Sequence, residues 1–367
     1  MHFYIHTLPP TAEIRIPAPI TVPLLEVCAQ LQLPPVITYS DDVLYNWALK
    51  VPSVEPMPAL DNLRILTLFT GTSDEEEFYL TSARIELRGV DALEVMRMTM
   101  DELFIGDALA VRRITRYLHS FVRIIDDLAR LLLSVRDGCD PDVFYHSIRP
   151  WFNGADSGAR RWIFDGLDEH PELVLPDELS GPSAAQSPLI HALDVFLGID
   201  HGQSPSSSPS LEHTAAAAST HVPPKAPFLA RMRAYMPRHH RNFLRHLAAV
   251  PRPLREAVAR TGNAALTDAY NAALDALRRL RDAHLRIVTL YIIGPSHRAH
   301  PAMPDAPAPA VQAKGAAGAV KGCFAHEAGS GKASSLLLGT GGTDMIRFLK
   351  SVRDRTSEAA LVLDGSA

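Results

Sequence analysis

The sequence predicts a mainly α fold, in which a small N-terminal domain of mixed, short helices precedes a large, all-helical domain. Three observations carry this expectation. Apolar residues recur at three- and four-residue spacing through VRRITRYLHSFVRIIDDLARLLLSV (residues 111–135) and NAALDALRRLRDAHLRIVTLYII (271–293), which is the helical period. Helix-opening residues stand where such runs need them, with Asp140 ahead of Pro141 and Pro237 between two apolar pieces. β-prone runs are short and confined to about the first 85 residues.

Residues 1–58 are proline-rich with short apolar runs at 24–33 and 43–49, which suits short helices and turns. The boundary of this small domain is placed after residue 68, and the large domain takes 69–367. The runs ILTLF and FYLTS are β-prone and are split by GTSDEEE, as a short strand or turn leading into a helix would be. Residues 84–135 read as two or three amphipathic helices. A further helix opens at Asp140 and Pro141, runs through VFYHSIRPWF and breaks at NGADSG. Residues 228–247 form two helical pieces joined at Met236 and Pro237, because proline is tolerated only in a helix's first turn. Two low-complexity insertions, at about 200–227 and 295–338, carry too little apolar surface to order themselves. The glycine run 339–344 then opens a C-terminal helix.

The 367 residues include 47% hydrophobic and 21% charged, with 36 basic against 41 acidic side chains. No basic field exists to recruit nucleic acid or an anionic membrane, so a small-molecule or protein partner is expected; the chain is also expected to be a monomer. Cys28, Cys139 and Cys323 are scattered and odd in number, which argues against disulfides and a zinc site. With no basic leader followed by an apolar run, and no stretch of about 20 apolar residues, the cytoplasm is the expected compartment.

His284 is the one polar interruption of an apolar stripe. Leu277, Leu280, Ile287, Val288 and Tyr291 lie one or two turns away on its face, whereas Arg278, Arg279, Asp282 and Arg286 fall mostly on the others. An inward imidazole needs partners for both nitrogens, and the residues alone leave a hydrogen-bonded core histidine or a metal ligand open. His239 and His240 diverge by about 100° on a helix and suit a surface or structural role better than chelation. Arg149 shares a helical face with Tyr145 beside Phe144, Ile148 and Phe152, where a guanidinium calls for a carboxylate or a solvated position. The run GSGKAS at 329–334 is no phosphate loop, because Ala333 follows Lys332 and His326 stands where the first glycine belongs.

MRAYMPRHHRNFL, RDAHLRIVTLYII and GTGGTDMIRFLK, in this order, resemble the indoleamine 2,3-dioxygenase family. PPVITYSDDVLYNW, FYLTS, DVFYHSIRPWFNG and SAAQSPLIHALDVFLGI extend the resemblance from about residue 33 to 356. It implies a haem b enzyme that cleaves the indole C2–C3 bond of L-tryptophan or a related indoleamine with O2. The product would be N-formylkynurenine, the first step of the kynurenine pathway. An electron donor would keep the iron ferrous, and no acid or base side chain is required. His284 would be the iron ligand, with Arg281 and Asp194 paired one turn before it and Ser183 facing a haem propionate. The substrate pocket maps onto Tyr39, Val43, Phe78, Ser82, Phe144, Tyr145, Arg149 and Ala184, with Arg149 holding the substrate carboxylate and Thr340 on a closing loop. Three residues depart from the family pattern: Asp42 where small neutral side chains stand, Tyr145 for phenylalanine, and Pro182 in a glycine-rich turn. Asp42 reads either as a pocket carboxylate or as the cap of the YSDD turn. A haem protein that senses ligands with low turnover, or a helical scaffold without cofactor, stay open as alternatives.

Overall fold

A computed structural model of the chain describes residues 1–9, 13–55, 57–156, 160–200, 226–250, 253–298 and 345–362. In order, these hold α1 (His2–Thr7), β1 (Glu13–Ile16), α2 (Ala18–Leu31), a π turn (Ser40–Leu44), β2 (Trp47–Leu49), β3 (Leu63–Ile65), α3 (Ser73–Ile105) and α4 (Ala108–Ser134). There follow α5 (Pro141–Val143), which continues as a π turn (Phe144–Ile148) and a 3-10 turn (Arg149–Phe152), then β4 (Arg161–Phe164) and α6 (Pro188–Leu197). The chain closes through α7 (Phe228–Met232), α8 (Arg238–Ala248), α9 (Leu254–Thr261), α10 (Ala264–Val288), α11 (Gly294–Ser296) and α12 (Met345–Glu358).

The fold is mainly helical, as the periodicity predicts. α4 lies between α3 and α10, and α12 covers the far side of α10. Phe121, Leu118, Ile125 and Leu128 of α4 meet Met96 of α3, Leu193 of α6, and Tyr270 and Leu277 of α10 in one large core. The start of α3 explains why FYLTS is helical despite its β-prone residues. Thr72 accepts from the Glu75 amide at 3.2 Å, and the Glu75 carboxylate returns to the amides of Phe69 (2.7 Å) and Thr70 (2.6 Å). This reciprocal cap fixes the helix one turn ahead of FYLTS. Only Leu63–Ile65 remains of the β-prone stretch, paired antiparallel with β2.

Gly106 ends α3 in the left-handed region at φ 72°, and Asp107 opens α4 by accepting from Ala110 at 2.7 Å. Residues 84–135 therefore belong to two long helices. The Asp140 cap stands as expected, accepting from Asp142 (2.8 Å) and Val143 (3.1 Å).

The sequence reading needs three corrections. β structure is not confined to the first 85 residues, because β1 pairs in parallel with β4, with Ile16 opposite Phe164, and Arg15 bridges to Asp165 at 2.6 Å. A four-residue strand carries too few alternating positions to be legible alone. The helix read as 271–293 begins at Ala264, capped by Asn263, and its last turn widens to a π turn (Thr289–Ile293) before α11, so residues 295 and 296 are helical rather than insertion. The turn cap in YSDD is Asp41, which accepts from the Thr38 amide and hydroxyl at 2.8 Å each, and not Asp42. The rest of both insertions and the glycine run 339–344 lie almost wholly outside the described residues. No helix among the described residues is long and apolar enough to cross a membrane.

Candidate functional site

α10 presents Leu277, Leu280, Ile287 and Val288 to the interior, with His284 between them. Burial lowers the pKa of His284 from 6.5 to about 4, so the imidazole is neutral near pH 7. Its side chain keeps some accessible surface although protein surrounds it, as does a group that faces an internal space. Neither ring nitrogen has a hydrogen-bond partner among the described residues.

One and two turns beyond His284, Ile287 and Tyr291 enter a second cluster with Tyr39, Val43, Leu80, Phe144, Ile148 and Phe152. Phe78 packs against it, with ring centroids 4.6 Å from Phe144 and 5.8 Å from Phe152, while Phe144 meets Tyr291 edge-on at 5.6 Å. The Tyr291 hydroxyl donates to the Cys139 carbonyl at 2.6 Å, which ties the His284 helix to the start of α5. Four of the expected substrate residues, Tyr39, Val43, Phe78 and Phe144, thus share one aromatic cluster with the face of α10 that bears His284.

Phe78, Ser82 and Glu86 recur every fourth residue and form one stripe of α3. Ser82 turns its hydroxyl back to the Phe78 carbonyl at 3.4 Å. Glu86 accepts the Tyr39 hydroxyl at 2.9 Å and the Ser187 hydroxyl at 2.6 Å, both on Oε1. Burial pushes its pKa up, partly offset by those two donors. Sequence reading missed Glu86, although its spacing from Phe78 and Ser82 marks it.

Tyr145 and Arg149 are half-buried, with the guanidinium 5.4 Å from the Tyr145 ring centroid. Burial lowers the Arg149 pKa, and Tyr145 works in the opposite direction. The turn that carries Arg149 is clamped to the Ser183 loop by two glycines. A Cβ on Gly154 would lie 2.1 Å from the Leu179 carbonyl oxygen, and one on Gly181 would lie 1.8 Å from that of Phe152. Only glycine permits this approach. Buried Gln186 adds a staple, donating to the Gly181 carbonyl at 2.9 Å and accepting from the Tyr39 amide at 2.9 Å. Ser183 caps the following turn by accepting from Ala185, Pro182 is buried, and Ala184 is exposed. Thr340 lies outside the described residues.

Arg281 pairs with Asp194 of α6, both nearly buried at 10% and 7% side-chain exposure, and also donates to the Val352 carbonyl of α12 at 3.2 Å. This pair is internal, not a surface bridge. A second guanidinium, Arg233, lies in the field of Asp194, with its pKa lowered by burial. Arg233 donates to His191 Nδ1 at 3.3 Å, and His191 Nε2 donates to the Ala185 carbonyl at 2.9 Å, so that ring's tautomer is fixed. Two cations therefore flank one carboxylate on this wall. Among the described residues no three His, Cys, Asp or Glu side chains converge as a metal site.

Asp42 is buried between Tyr39 and Val43. Burial first, then the charges of Asp41 and Glu75, hold its pKa well above the carboxylate range. His239 and His240 lie edge to face at 4.3 Å, and His239 contacts the Tyr45 hydroxyl at 3.3 Å, in keeping with a structural role.

The fold and these side chains define a helical enzyme built on one neutral, unpartnered imidazole beside an aromatic chamber. The indoleamine 2,3-dioxygenase family model matches residues 1–359, and the chain belongs to that family; it is a dioxygenase of the oxidoreductase class. It is 35% identical to indoleamine 2,3-dioxygenase of Saccharomyces cerevisiae, over 94% of this chain and 73% of that one. Over the same shares it is 32% identical to indoleamine 2,3-dioxygenase 1 of Rattus norvegicus. A 6-hydroxytryptophan 2,3-dioxygenase of Fusarium equiseti is 27% identical over 94% of this chain and 75% of that one.

Proposed function

We propose that the chain binds haem b through His284 and inserts both atoms of O2 across the indole C2–C3 bond of L-tryptophan, giving N-formylkynurenine. The observation that carries this reading is the His284 imidazole, neutral, without a partner and facing the interior beside an aromatic cluster. A porphyrin brings four nitrogens of its own and would need only one ligand from the protein, so the His284 imidazole would fit haem where a bare ion would need several side chains. When bound, ferrous haem supplies the activation of dioxygen.

The chain's own residues do the rest. His284 holds the iron, and the Arg281–Asp194 pair fixes the helix that carries it. Arg233 and Arg281 leave that wall cationic, which suits the haem propionates, with Ser183 nearby in the loop that precedes α6. Phe78, Phe144, Val43 and Tyr39 offer a flat apolar wall for the indole and exclude water. Arg149 takes the substrate carboxylate, its position set by the Tyr145 ring and the Gly154–Gly181 contact. Ser82 and Ala184 complete the chamber. No side chain serves as general base, and Glu86 stays engaged by two hydroxyls. The small domain, residues 1–68, and the large one meet at this chamber. The relatives' names, indoleamine 2,3-dioxygenase and 6-hydroxytryptophan 2,3-dioxygenase, support a substrate class of tryptophan and its ring-substituted forms.

The test is the ferrous protein loaded with haem and given O2 and L-tryptophan. Growth of the N-formylkynurenine absorbance is expected, together with loss of the axial-histidine spectrum in His284→Ala. Turnover of no indole, with an unchanged haem spectrum in that variant, would refute the reading.

A further inference from the structure

We propose that Asp42 determines substrate specificity, its carboxyl group taking a hydroxyl carried on the benzene ring of the bound indole, so that the chain favours ring-hydroxylated tryptophan over tryptophan itself. This rests on the substrate chamber proposed above. Asp42 sits in the Ser40–Leu44 turn between Tyr39 and Val43, two members of the aromatic cluster, and is 4% exposed. Its carboxyl group has no hydrogen-bond partner among the described residues, and only its backbone carbonyl is engaged, by Asn46 at 3.1 Å.

The roles that would explain a buried aspartate in this turn are already filled. Asp41 caps the turn through Thr38, and Glu75 is committed to Phe69, Thr70 and Gly71. The neighbouring Tyr79 hydroxyl is buried as well and interacts with Glu75. The Asp42 carboxyl is thus a buried hydrogen-bonding group without a partner among the described residues. Such groups are costly to bury unless a ligand completes them.

The chemistry of the carboxyl selects the ligand. Burial and the adjacent acids raise the pKa of Asp42 and so favour its neutral form, which offers one donor and one acceptor and no charge. A phenolic hydroxyl matches both. A cationic substituent could only donate and an anionic one only accept, so each matches one half, and a methyl group of similar size leaves the carboxyl unpaired. Sites built around a buried polar group discriminate strongly against analogues that lack its partner.

The test uses the haem-loaded protein with L-tryptophan, the 5-, 6- and 7-hydroxy-L-tryptophans, and the methyl analogue at each position. Both kcat/KM and equilibrium binding by calorimetry are measured. At one ring position the hydroxy analogue should exceed the methyl analogue by about 10-fold or more. Asp42→Val should abolish or invert that ratio, whereas Asp42→Asn, which keeps a donor and an acceptor, should retain much of it. The ratio of two substrates on one protein is insensitive to a loss of folded enzyme. Equal ratios in the native chain and Asp42→Val at all three positions overturn the inference while tryptophan turnover leaves the proposed function standing. Absence of both binding and turnover for every indole overturns the two together.

Discussion

Replacing Asp194 by alanine should destabilise the fold by about 3–5 kcal/mol, far more than any surface pair. The magnitude follows from position. Asp194 and Arg281 keep 7% and 10% of their side-chain surface, so the substitution strands a guanidinium in the interior with the Val352 carbonyl as its remaining acceptor in the fold. Arg233 adds a second positive charge close to the same point. Exposed bridges such as Arg97 to Glu94 are screened and contribute about 0–1 kcal/mol. Arg281→Met should be nearly as damaging, because it removes the guanidinium that meets the buried Asp194 carboxylate. The double variant Asp194→Leu, Arg281→Met should recover most of the loss, since it removes both desolvated charges. Urea unfolding of the haem-free protein, followed by helical circular dichroism, measures all three. A cost below about 1 kcal/mol for Asp194→Ala, or a double variant as unstable as the two singles added together, would refute the reasoning.

Acid should weaken the haem-free fold between about pH 6.5 and 4. His284 and His2 each titrate at about 4 in the fold and at 6.5 in the unfolded chain. The unfolded state therefore binds more protons in that window, and stability falls with pH by about 3 kcal/mol for each residue. His284→Leu should remove about half of the slope, and an unchanged slope in a pH series of urea melts would contradict the burial of this ring. Arg149→Ala should raise KM for tryptophan by about 10- to 100-fold while leaving haem content intact, and loss of haem in that variant would mean the residue serves the cofactor instead. Gly181→Ala should destabilise by about 1–3 kcal/mol or more and raise KM, because its Cβ would lie 1.8 Å from the Phe152 carbonyl oxygen; a crystal structure of the variant with the Arg149 turn unmoved would dispose of this idea.

The helical architecture was legible wherever one face of a long segment is apolar, as in α4 and α10, because burial of that face is what the fold optimises. β4 was not legible, since its pairing with β1 joins residues about 150 positions apart and four residues do not show a period. The aspartate pair at 41 and 42 shows a second limit. Both residues suit a turn, and only the three-dimensional placement of Thr38 decides that Asp41 caps it while Asp42 turns inward. Glu86 illustrates a third. A lone glutamate in a helix reads as a solvated side chain until Tyr39 and Ser187, from two other elements, are found on the same oxygen.

The buried titratable groups share one consequence. Burial keeps His284 unprotonated, and it raises the pKa of Asp42 and Glu86. Desolvation disfavours the charged form of an acid and of a base alike, so one physical cause moves all three groups toward neutrality. Guanidiniums behave differently, because their pKa is too high for burial to neutralise them. Burial lowers the pKa of Arg149 and Arg233, and the Asp194 carboxylate faces both Arg281 and Arg233. A chamber of that kind attracts carboxylates and leaves the indole in a nearly field-free apolar space. An electron-rich ring meeting activated dioxygen needs little acid or base assistance there, and a protonated carboxyl such as Asp42 can read a ring hydroxyl without presenting a charge to the reacting edge.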